Sequence, residues 1–194
     1  MHMPVGAYEK SQIRQIASQA GIPVAAKSDS QDICFIPDHD YAAFIEKETG
    51  KKYLPGNFVD ENGKILGQHK GIIHYTVGQR KGLGITAETP LFVKEIKTDT
   101  NEVVICKNEA LFSCECRVSN VNWMAESTVD AGYTAIGKVR YSHKGAKCAL
   151  YPLDDGSLKC VFEEPQRAMT PGQAAVFYQD DHVLCGGTIN APRF

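Results

Sequence analysis

The segment KSDSQDICFIPDH, residues 27–39, places one cysteine among polar and acidic residues. A cysteine reacts as its thiolate, and a free thiol with a pKa of about 8.5 is mostly protonated at neutral pH. The carboxylates of Asp29 and Asp32 would raise the pKa of Cys34, so its activation needs a cation or a helix N-terminus that the fold supplies. The local chemistry fits a buried structural thiol at least as well as a nucleophile.

The segment YTVGQRKGLGI, residues 75–85, is named here the glycine-basic loop. It combines three glycines with Gln79, Arg80 and Lys81. Glycines let the backbone approach a ligand closely, and the two cations can meet a phosphate. The segment is neither a Walker A loop nor a dinucleotide-binding fingerprint, because neither a Lys-Ser/Thr pair nor a helix follows it. The alternative is a solvated connection between two strands.

Two later segments could also contact a ligand. Residues 137–145, GKVRYSHKG, place Arg140 and Tyr141 among further cations, and such residues can pair with phosphates and stack on a base. An exposed strand with ordinary surface charge has the same composition. In TPGQAAVFY, residues 170–178, Gln173 follows a turn and could contact a ligand through its amide.

The seven cysteines do not follow the spacing of a disulfide scaffold. Cys114 and Cys116 would point to the same face of a strand, whereas zinc sites usually show Cys-x2-Cys pairs or histidine partners. We therefore expect structural thiols and no metal site. His69 and His74 lie near the glycine-basic loop without the spacing of a catalytic triad, so surface or hydrogen-bonded core roles are expected.

The composition of the 194 residues, 43% hydrophobic and 23% charged, is that of an ordinary globular protein. The formal net charge of -2 excludes a broadly basic protein, so a nucleic acid would have to bind a local patch. No run of 18 apolar residues occurs, and we expect no membrane contact. The thiols are typical of a reducing compartment, which predicts a cytoplasmic protein.

Two helices are predicted near the start of the sequence. Residues 9–20 carry one apolar face and precede a glycine that can cap the helix, and residues 22–26 read as a short extended run. A helix followed by a strand is half of an α/β unit, so we expect the chain to start inside a domain. A second helix is expected over 38–49, with Asp38 or Asp40 as its cap.

Strand patterns follow the second helix. Hairpins are predicted at 57–67, with an Asn-Gly turn, and at 91–106, with a strand at 71–77 between them. Six further short strands indicate a small closed barrel or a sandwich. The predicted fold class is α+β, mainly β, with domain boundaries near Pro37 and Ser113.

Together these segments resemble one family, the tRNA-specific 2-thiouridylases, known as MnmA or TrmU. The matching stretches, in family order, are PVGAYEKSQIRQIASQAGIPVAAKSDSQDICFI, LGQHKGIIHYTVGQRKGLGI, VRYSHKG and TPGQAAVFY. The resemblance implies an ATP-pyrophosphatase-type α/β domain, a small central α+β domain and a C-terminal barrel like those of translation factors. Residues 1–36 would be a helix-strand remnant of the first domain, 37–112 the central domain and 113–194 the tRNA-binding barrel.

The resemblance also implies an activity. With ATP and Mg²⁺ the family adenylates the C2 oxygen of the wobble uridine in certain tRNAs, and a cysteine persulfide then delivers sulfur to C2, which makes 2-thiouridine. Cys34 stands at the family's persulfide cysteine. The second family cysteine, which ends in a disulfide with the first, and the ATP-binding loop have no counterpart in this sequence. We therefore expect a sulfurtransferase fragment that is inactive alone.

The resemblance finally implies RNA contacts. Arg140 and Tyr141 match a tRNA-contact segment of the family, and Gln173 matches another contact position. A further group would face the active-site cleft and the anticodon loop, namely Gln79, Arg80 and Lys81. The implied partners are tRNA and a sulfur-relay donor protein. Two other functions stay open, a non-catalytic RNA-binding barrel module and a protein persulfide carrier.

Overall fold

The computed structural model describes residues 4–27, residue 36 and residues 40–190. The chain divides into two compact units, Met1–Thr49 and Gly50–Phe194. In the described part of the first unit there are two helices, α1 (Lys10–Gln19) and α2 (Tyr41–Thr49). Neither has the length and apolar character that crossing a bilayer requires.

Helix α1 confirms the predicted helix, and its end follows from one glycine. Gly21 has φ +70°, and its amide donates to the Ser18 carbonyl at 3.0 Å while the Ile22 amide donates to the Ala17 carbonyl at 2.9 Å. This pair of bonds closes the helix as a Schellman motif. The extended run predicted at 22–26 is wrong, because the chain forms consecutive turns there, with the Ala25 amide on the Ile22 carbonyl.

Helix α2 also agrees with its prediction where the structure describes it. The Asp40 carboxylate accepts a hydrogen bond from the Ala43 amide at 2.9 Å, which identifies Asp40 as the cap. The helix ends at Thr49, and the next residue, Gly50, has a φ of +65° that suits glycine. The other candidate cap, Asp38, lies outside the described residues.

The second unit begins with a mixed four-stranded sheet. Its strands are β1 (Gly56–Val59), β2 (Ile65–His69), β3 (Leu91–Lys97) and β4 (Glu102–Lys107). Their order in the sheet is β2-β1-β4-β3. Strand β1 is parallel to β4, and the neighbouring pairs β1-β2 and β3-β4 are antiparallel hairpins, as predicted. Phe58, Val93 and Val103 are almost completely buried in the core of this sheet.

The strand predicted at 71–77 is wrong. Gly71, with φ +125°, turns the chain directly after β2, and residues Ile72–His74 form a single 3-10 turn. The ring of Tyr75 then packs edge-on against Phe58 at 5.1 Å and His69 at 5.7 Å. This packing in the core outweighs the β propensity of the run.

The remaining strands of the described residues close into a barrel. They are β5 (Phe112–Trp123), β6 (Tyr133–Lys138), β7 (Ala146–Pro152), β8 (Leu158–Arg167), β9 (Ala174–Gln179) and β10 (His182–Ile189). Their order around the barrel is β10-β5-β8-β7-β6-β9. The structure therefore resolves the predicted choice between barrel and sandwich, and the predicted mainly β class is confirmed. Inward side chains such as Val118, Cys160 and Phe177 alternate with outward ones and fill the barrel.

Candidate nucleic-acid interface

The last residue of β8 joins the barrel to the mixed sheet. The Nε of Arg167 donates to Asn108 Oδ1 at 3.1 Å, and its guanidinium lies over the Phe92 ring, 5.1 Å from the centroid. Phe92 belongs to β3, and Asn108 directly follows β4. The next residue, Ala168, donates its amide to the Leu111 carbonyl at 2.8 Å. The end of β8 is therefore fixed against the sheet by a side chain and by the backbone.

The glycine-basic loop passes close to this point. Gly78 has φ +86°, and a Cβ at Gly78 would lie 3.1 Å from the Cβ of Ala168 and 3.5 Å from Nη1 of Arg167. Two backbone hydrogen bonds tie the loop to β3, from Gly78 to the Val93 carbonyl at 2.8 Å and from Val93 to the Gln79 carbonyl at 3.0 Å. The absence of a side chain at Gly78 thus allows the loop to approach the end of β8.

The side chain of Gln79 shapes the loop from inside. Its Oε1 accepts from the Thr76 amide at 3.0 Å, and its Nε2 donates to the Lys81 carbonyl at 2.9 Å. Both polar atoms of the amide are therefore used within the loop. Arg80 and Lys81 beside it are exposed and form no ion pair with any described residue. The two cations are the groups that this loop offers to an anion.

A shallow pocket of about 470 Å³ adjoins the loop. Its wall consists of the second half of the glycine-basic loop and residues 87–91, and Arg80 and Glu88 supply its charged groups. The buried Leu83 anchors the wall in the core of the sheet. This arrangement places the Arg80 cation at the edge of a cleft open to solvent.

Residues 139–145 connect β6 to β7 and are named here the tyrosine loop. Arg140 Nη1 donates to the backbone carbonyl of Arg167 at 2.7 Å, so its guanidinium is partly used by the fold. The Tyr141 side chain, by contrast, is fully exposed. An aromatic ring presented in this way offers a free face for stacking. The tyrosine loop and the glycine-basic loop thus both lie against Arg167.

His143 attaches the same loop to β8. Its Nε2 lies 2.8 Å from Gln166 Oε1, and Gln166 Nε2 donates to the Glu164 carbonyl at 2.7 Å. The amide of Gln166 is thereby oriented so that its oxygen accepts from the protonated Nε2 of His143. The other ring nitrogen, Nδ1, is buried without a hydrogen-bond partner in the described structure.

The segment that contains Gln173 starts at the same place in the fold. Thr170 Oγ1 donates to the Ala168 carbonyl at 3.1 Å, and a turn then brings the Gln173 amide to the Thr170 carbonyl at 3.2 Å. The Gln173 carbonyl accepts from the Ile189 amide at 2.8 Å. Its side chain is half-buried and makes no hydrogen bond to another described residue. This side-chain amide is therefore available to a ligand.

Six of the seven cysteines lie in the described residues, and the seventh, Cys34, lies outside them. The described thiols are all free, and burial raises the pKa of Cys106 and of Cys185 to about 11. Hydrogen bonding to Cys116 and Cys148, together with burial, raises the pKa of Cys160 as well. These three buried thiols are neutral at pH 7, as expected of core residues.

His69 has the hydrogen-bonded core role expected for it. The ring is almost completely buried, its Nδ1 accepts from the Gly71 amide at 3.1 Å, and Nε2 lies 3.1 Å from the Asn101 carbonyl. The Nε2 atom therefore carries the proton and donates. His74 contacts the Tyr75 ring. No group of three or more His, Cys, Asp or Glu in the described residues could hold a metal ion.

The contributions of Gln166 and Arg167 were not predicted from the sequence. Their partners lie 23 residues away for Gln166, and 27 and 59 residues away for Arg167. Such distances leave no local spacing signal, and only the register of the closed barrel brings the groups together. The sequence pattern singled out the segments that meet here but not the strand end that holds them.

Comparison with known proteins gives three family-model matches in chain order. The tRNA methyl transferase HUP domain matches residues 1–38, the tRNA methyl transferase PRC-barrel domain matches 42–107, and the aminomethyltransferase beta-barrel domain matches 113–189. The last of these covers the strands of the closed barrel.

Curated relatives match almost the whole chain. The tRNA-specific 2-thiouridylase MnmA of Lachnoclostridium phytofermentans is 55% identical over 187 residues, which is 96% of this chain and 52% of the relative. The same enzyme of Acetivibrio thermocellus is 47% identical, with the same coverage of 96% and 52%. That of Clostridium beijerinckii is 44% identical over 97% of this chain and 53% of the relative. The chain spans about half the length of the curated relatives it matches, and it belongs to the family of tRNA-specific 2-thiouridylases, MnmA/TrmU.

Proposed function

We propose that this chain is the tRNA-binding and sulfur-carrying portion of a tRNA-uridine 2-sulfurtransferase. The observation that carries the proposal is the convergence of three segments on the end of β8. The glycine-basic loop, the tyrosine loop and the turn before Gln173 all contact residues 166–168 or follow directly from them. Relatives 44–55% identical are named tRNA-specific 2-thiouridylases.

The chemistry of these groups suits RNA. Arg80 and Lys81 are exposed cations without an ion-pair partner among the described residues, so they can approach phosphates. The free ring of Tyr141 can stack on an unpaired base of an anticodon loop, and Gln173 can donate to or accept from a base edge. Arg140 adds a further cation next to the ring. Gln79 belongs to the set as the residue that holds the two loop cations in place.

We further propose Cys34 as the residue that carries sulfur as a persulfide for delivery to C2 of the wobble uridine. This assignment rests on the family membership and on the DSQDICFI segment. A sulfur-relay protein would supply the sulfur, in the cytoplasm. The disulfide of the family mechanism is likewise part of the proposal for the whole protein.

ATP and Mg²⁺ are proposed as requirements of the whole protein. Among the described residues, no group of three or more His, Cys, Asp or Glu could hold a metal ion. The glycine-basic loop continues into the strand β3 rather than into a helix whose N-terminus could bind phosphates. We therefore derive no adenylation step from this chain.

Binding of an unmodified tRNA transcript with uridine at the wobble position tests the proposal. We expect the chain to bind it with an affinity that falls as salt rises, and Arg80→Ala to reduce the slope of log K against log salt by slightly less than one. Tyr141→Ala should weaken binding about tenfold at constant slope, because it removes stacking but no charge. The measurement is fluorescence anisotropy over a salt series.

Lys64→Ala is the matched control, since Lys64 is an exposed cation in the turn between β1 and β2. It should leave both affinity and slope unchanged. A chain without measurable affinity for the transcript would contradict the proposal and favour a protein persulfide carrier. If Lys64→Ala and Arg80→Ala changed the affinity and the salt slope equally, the proposed role of the glycine-basic loop in RNA binding would be wrong.

A further inference from the structure

Two side-chain hydrogen bonds hold the tyrosine loop on the end of β8, one on each side of Tyr141. Arg140 Nη1 binds the Arg167 carbonyl at 2.7 Å, and His143 Nε2 binds Gln166 Oε1 at 2.8 Å. A backbone bond from the His143 amide to the Arg140 carbonyl at 3.1 Å closes the turn between them. The Tyr141 ring, at the tip of the turn, is fully exposed. The loop is therefore ordered by the residues that flank its aromatic side chain.

The energetic cost of this arrangement lies at His143. Its Nδ1 is buried and has no hydrogen-bond partner among the described residues. Buried polar atoms are almost always paired, because an unpaired one loses its hydration without compensation. The hydrogen bonds that flank Tyr141, and not this nitrogen, indicate that His143 places the loop.

We infer that His143 and Gln166 are positioning residues for RNA binding, which fix the tyrosine loop so that Tyr141 is presented before the RNA arrives. Their hydrogen bond is named here the clamp. The inference rests on the proposed function and adds to it two residues that do not themselves need to touch the RNA. A loop ordered in advance loses less conformational freedom on binding, so the stacking energy of the ring contributes fully to the affinity. Without the clamp, the Tyr141 ring would still be present in the loop, but it would no longer be held in one orientation.

The first test is a double-mutant cycle on the chain with the same tRNA transcript. His143→Ala and Gln166→Leu should each weaken binding by nearly as much as Tyr141→Ala, about tenfold. The double variants His143→Ala/Tyr141→Ala and Gln166→Leu/Tyr141→Ala should bind no more weakly than Tyr141→Ala alone, because the clamp acts through the ring. His143→Gln, which keeps an N–H donor facing Gln166, should restore most of the affinity.

Gln179→Leu is the matched control, since Gln179 is an exposed glutamine at the end of β9 outside the clamp. It should bind like the parent chain. Additive losses in the double variants, or His143→Ala binding like the parent, would overturn the inference. A Tyr141→Ala variant that binds like the parent would do the same, since the clamp would then have no ring to position.

Amide hydrogen exchange of the free chain tests the clamp without RNA. In Gln166→Leu, peptides that cover residues 139–145 should exchange faster, while those of β9 and β10 keep their rates. Unchanged exchange in residues 139–145 would show that the clamp does not order the loop. The parent chain could fail to bind tRNA while hydrogen exchange responds as expected. That result would contradict both the proposed function and the positioning role, and the clamp would then have a structural role only.

Discussion

The basic and polar residues of the interface differ in what their side chains already bind. Gln79 uses both atoms of its amide inside the loop, and Arg140 uses one guanidinium nitrogen on the Arg167 carbonyl. Arg80 and Lys81 remain free among the described residues. The family resemblance implied RNA contacts for all four. Which of these side chains are already used by the fold and which are free depends on hydrogen bonds that composition does not reveal.

The buried thiols of Cys106 and Cys185 predict a pH dependence of stability. Burial raises their pKa to about 11 from 9.0, so above pH 9 the unfolded chain releases protons that the folded protein keeps. The free energy of unfolding should therefore fall as pH rises from 9 to 11, by up to about 1.4 kcal/mol per pH unit for each thiol. Urea unfolding at several pH values measures this.

The variant Cys106→Ala/Cys185→Ala should be less stable at pH 7 but should lose less stability between pH 9 and pH 11. Val93→Ala is the control, because it removes packing in the core of the mixed sheet without removing a titrating group. It should keep the alkaline slope of the parent chain. An alkaline slope in the cysteine double variant as steep as that of the parent would contradict the assignment.

At the scale of elements, the strand predictions succeeded where local and tertiary preferences agree. Both hairpins of the mixed sheet and the strands of the barrel were expected from alternation and turn residues. The predictions at 22–26 and 71–77 failed for different reasons. Consecutive turns occupy the first, and the conformation of Gly71 with the burial of Tyr75 redirects the second. In both segments β propensity was present without a strand partner in the described structure.

Because the glycine-basic loop approaches the end of β8, we predict that substituting Gly78 destabilises the protein more than substituting Gly84. Gly78 and Gly84 both have positive φ, +86° and +66°. A methyl group at Gly78 would have neighbours within 4 Å, whereas one at Gly84 would meet no other atom of the described structure at that distance. Gly84→Ala should cost about 1–2 kcal/mol from backbone strain. Gly78→Ala should cost at least about 1 kcal/mol more, because the new methyl group meets Ala168.

Thermal and urea unfolding of the two variants measures this difference. Because the two substitutions are chemically identical and lie in one loop, backbone strain largely cancels in the comparison. Equal losses of stability would mean that the loop does not rest on Ala168. The two variants should also differ in tRNA affinity. Gly78→Ala should lose more affinity than Gly84→Ala, since the loop that it displaces carries Arg80 and Lys81.

At the scale of the whole molecule, the sequence predicted the fold class and singled out the segments that meet at the end of β8. It did not predict their meeting point, because Arg167 acts on groups 27 and 59 residues away. Barrel closure and the docking of β8 on the mixed sheet create that point. The activity is proposed from the family resemblance, since local chemistry at Cys34 left it open. The second unit accordingly supplies a preformed surface, while Cys34, the proposed sulfur carrier, lies outside the described residues.

The most direct measurement of the central claim is 2-thiouridine formation. The chain would replace the matching half of the Lachnoclostridium phytofermentans relative, so that it is joined to the half of that enzyme that it does not match. The hybrid would then be incubated with ATP, Mg²⁺, a persulfide donor and the wobble-uridine transcript. Nucleoside mass spectrometry should detect 2-thiouridine with the hybrid and with its Cys114→Ser control. Cys34→Ser should abolish the product and leave tRNA affinity nearly intact, whereas continued thiolation by Cys34→Ser would contradict the claim.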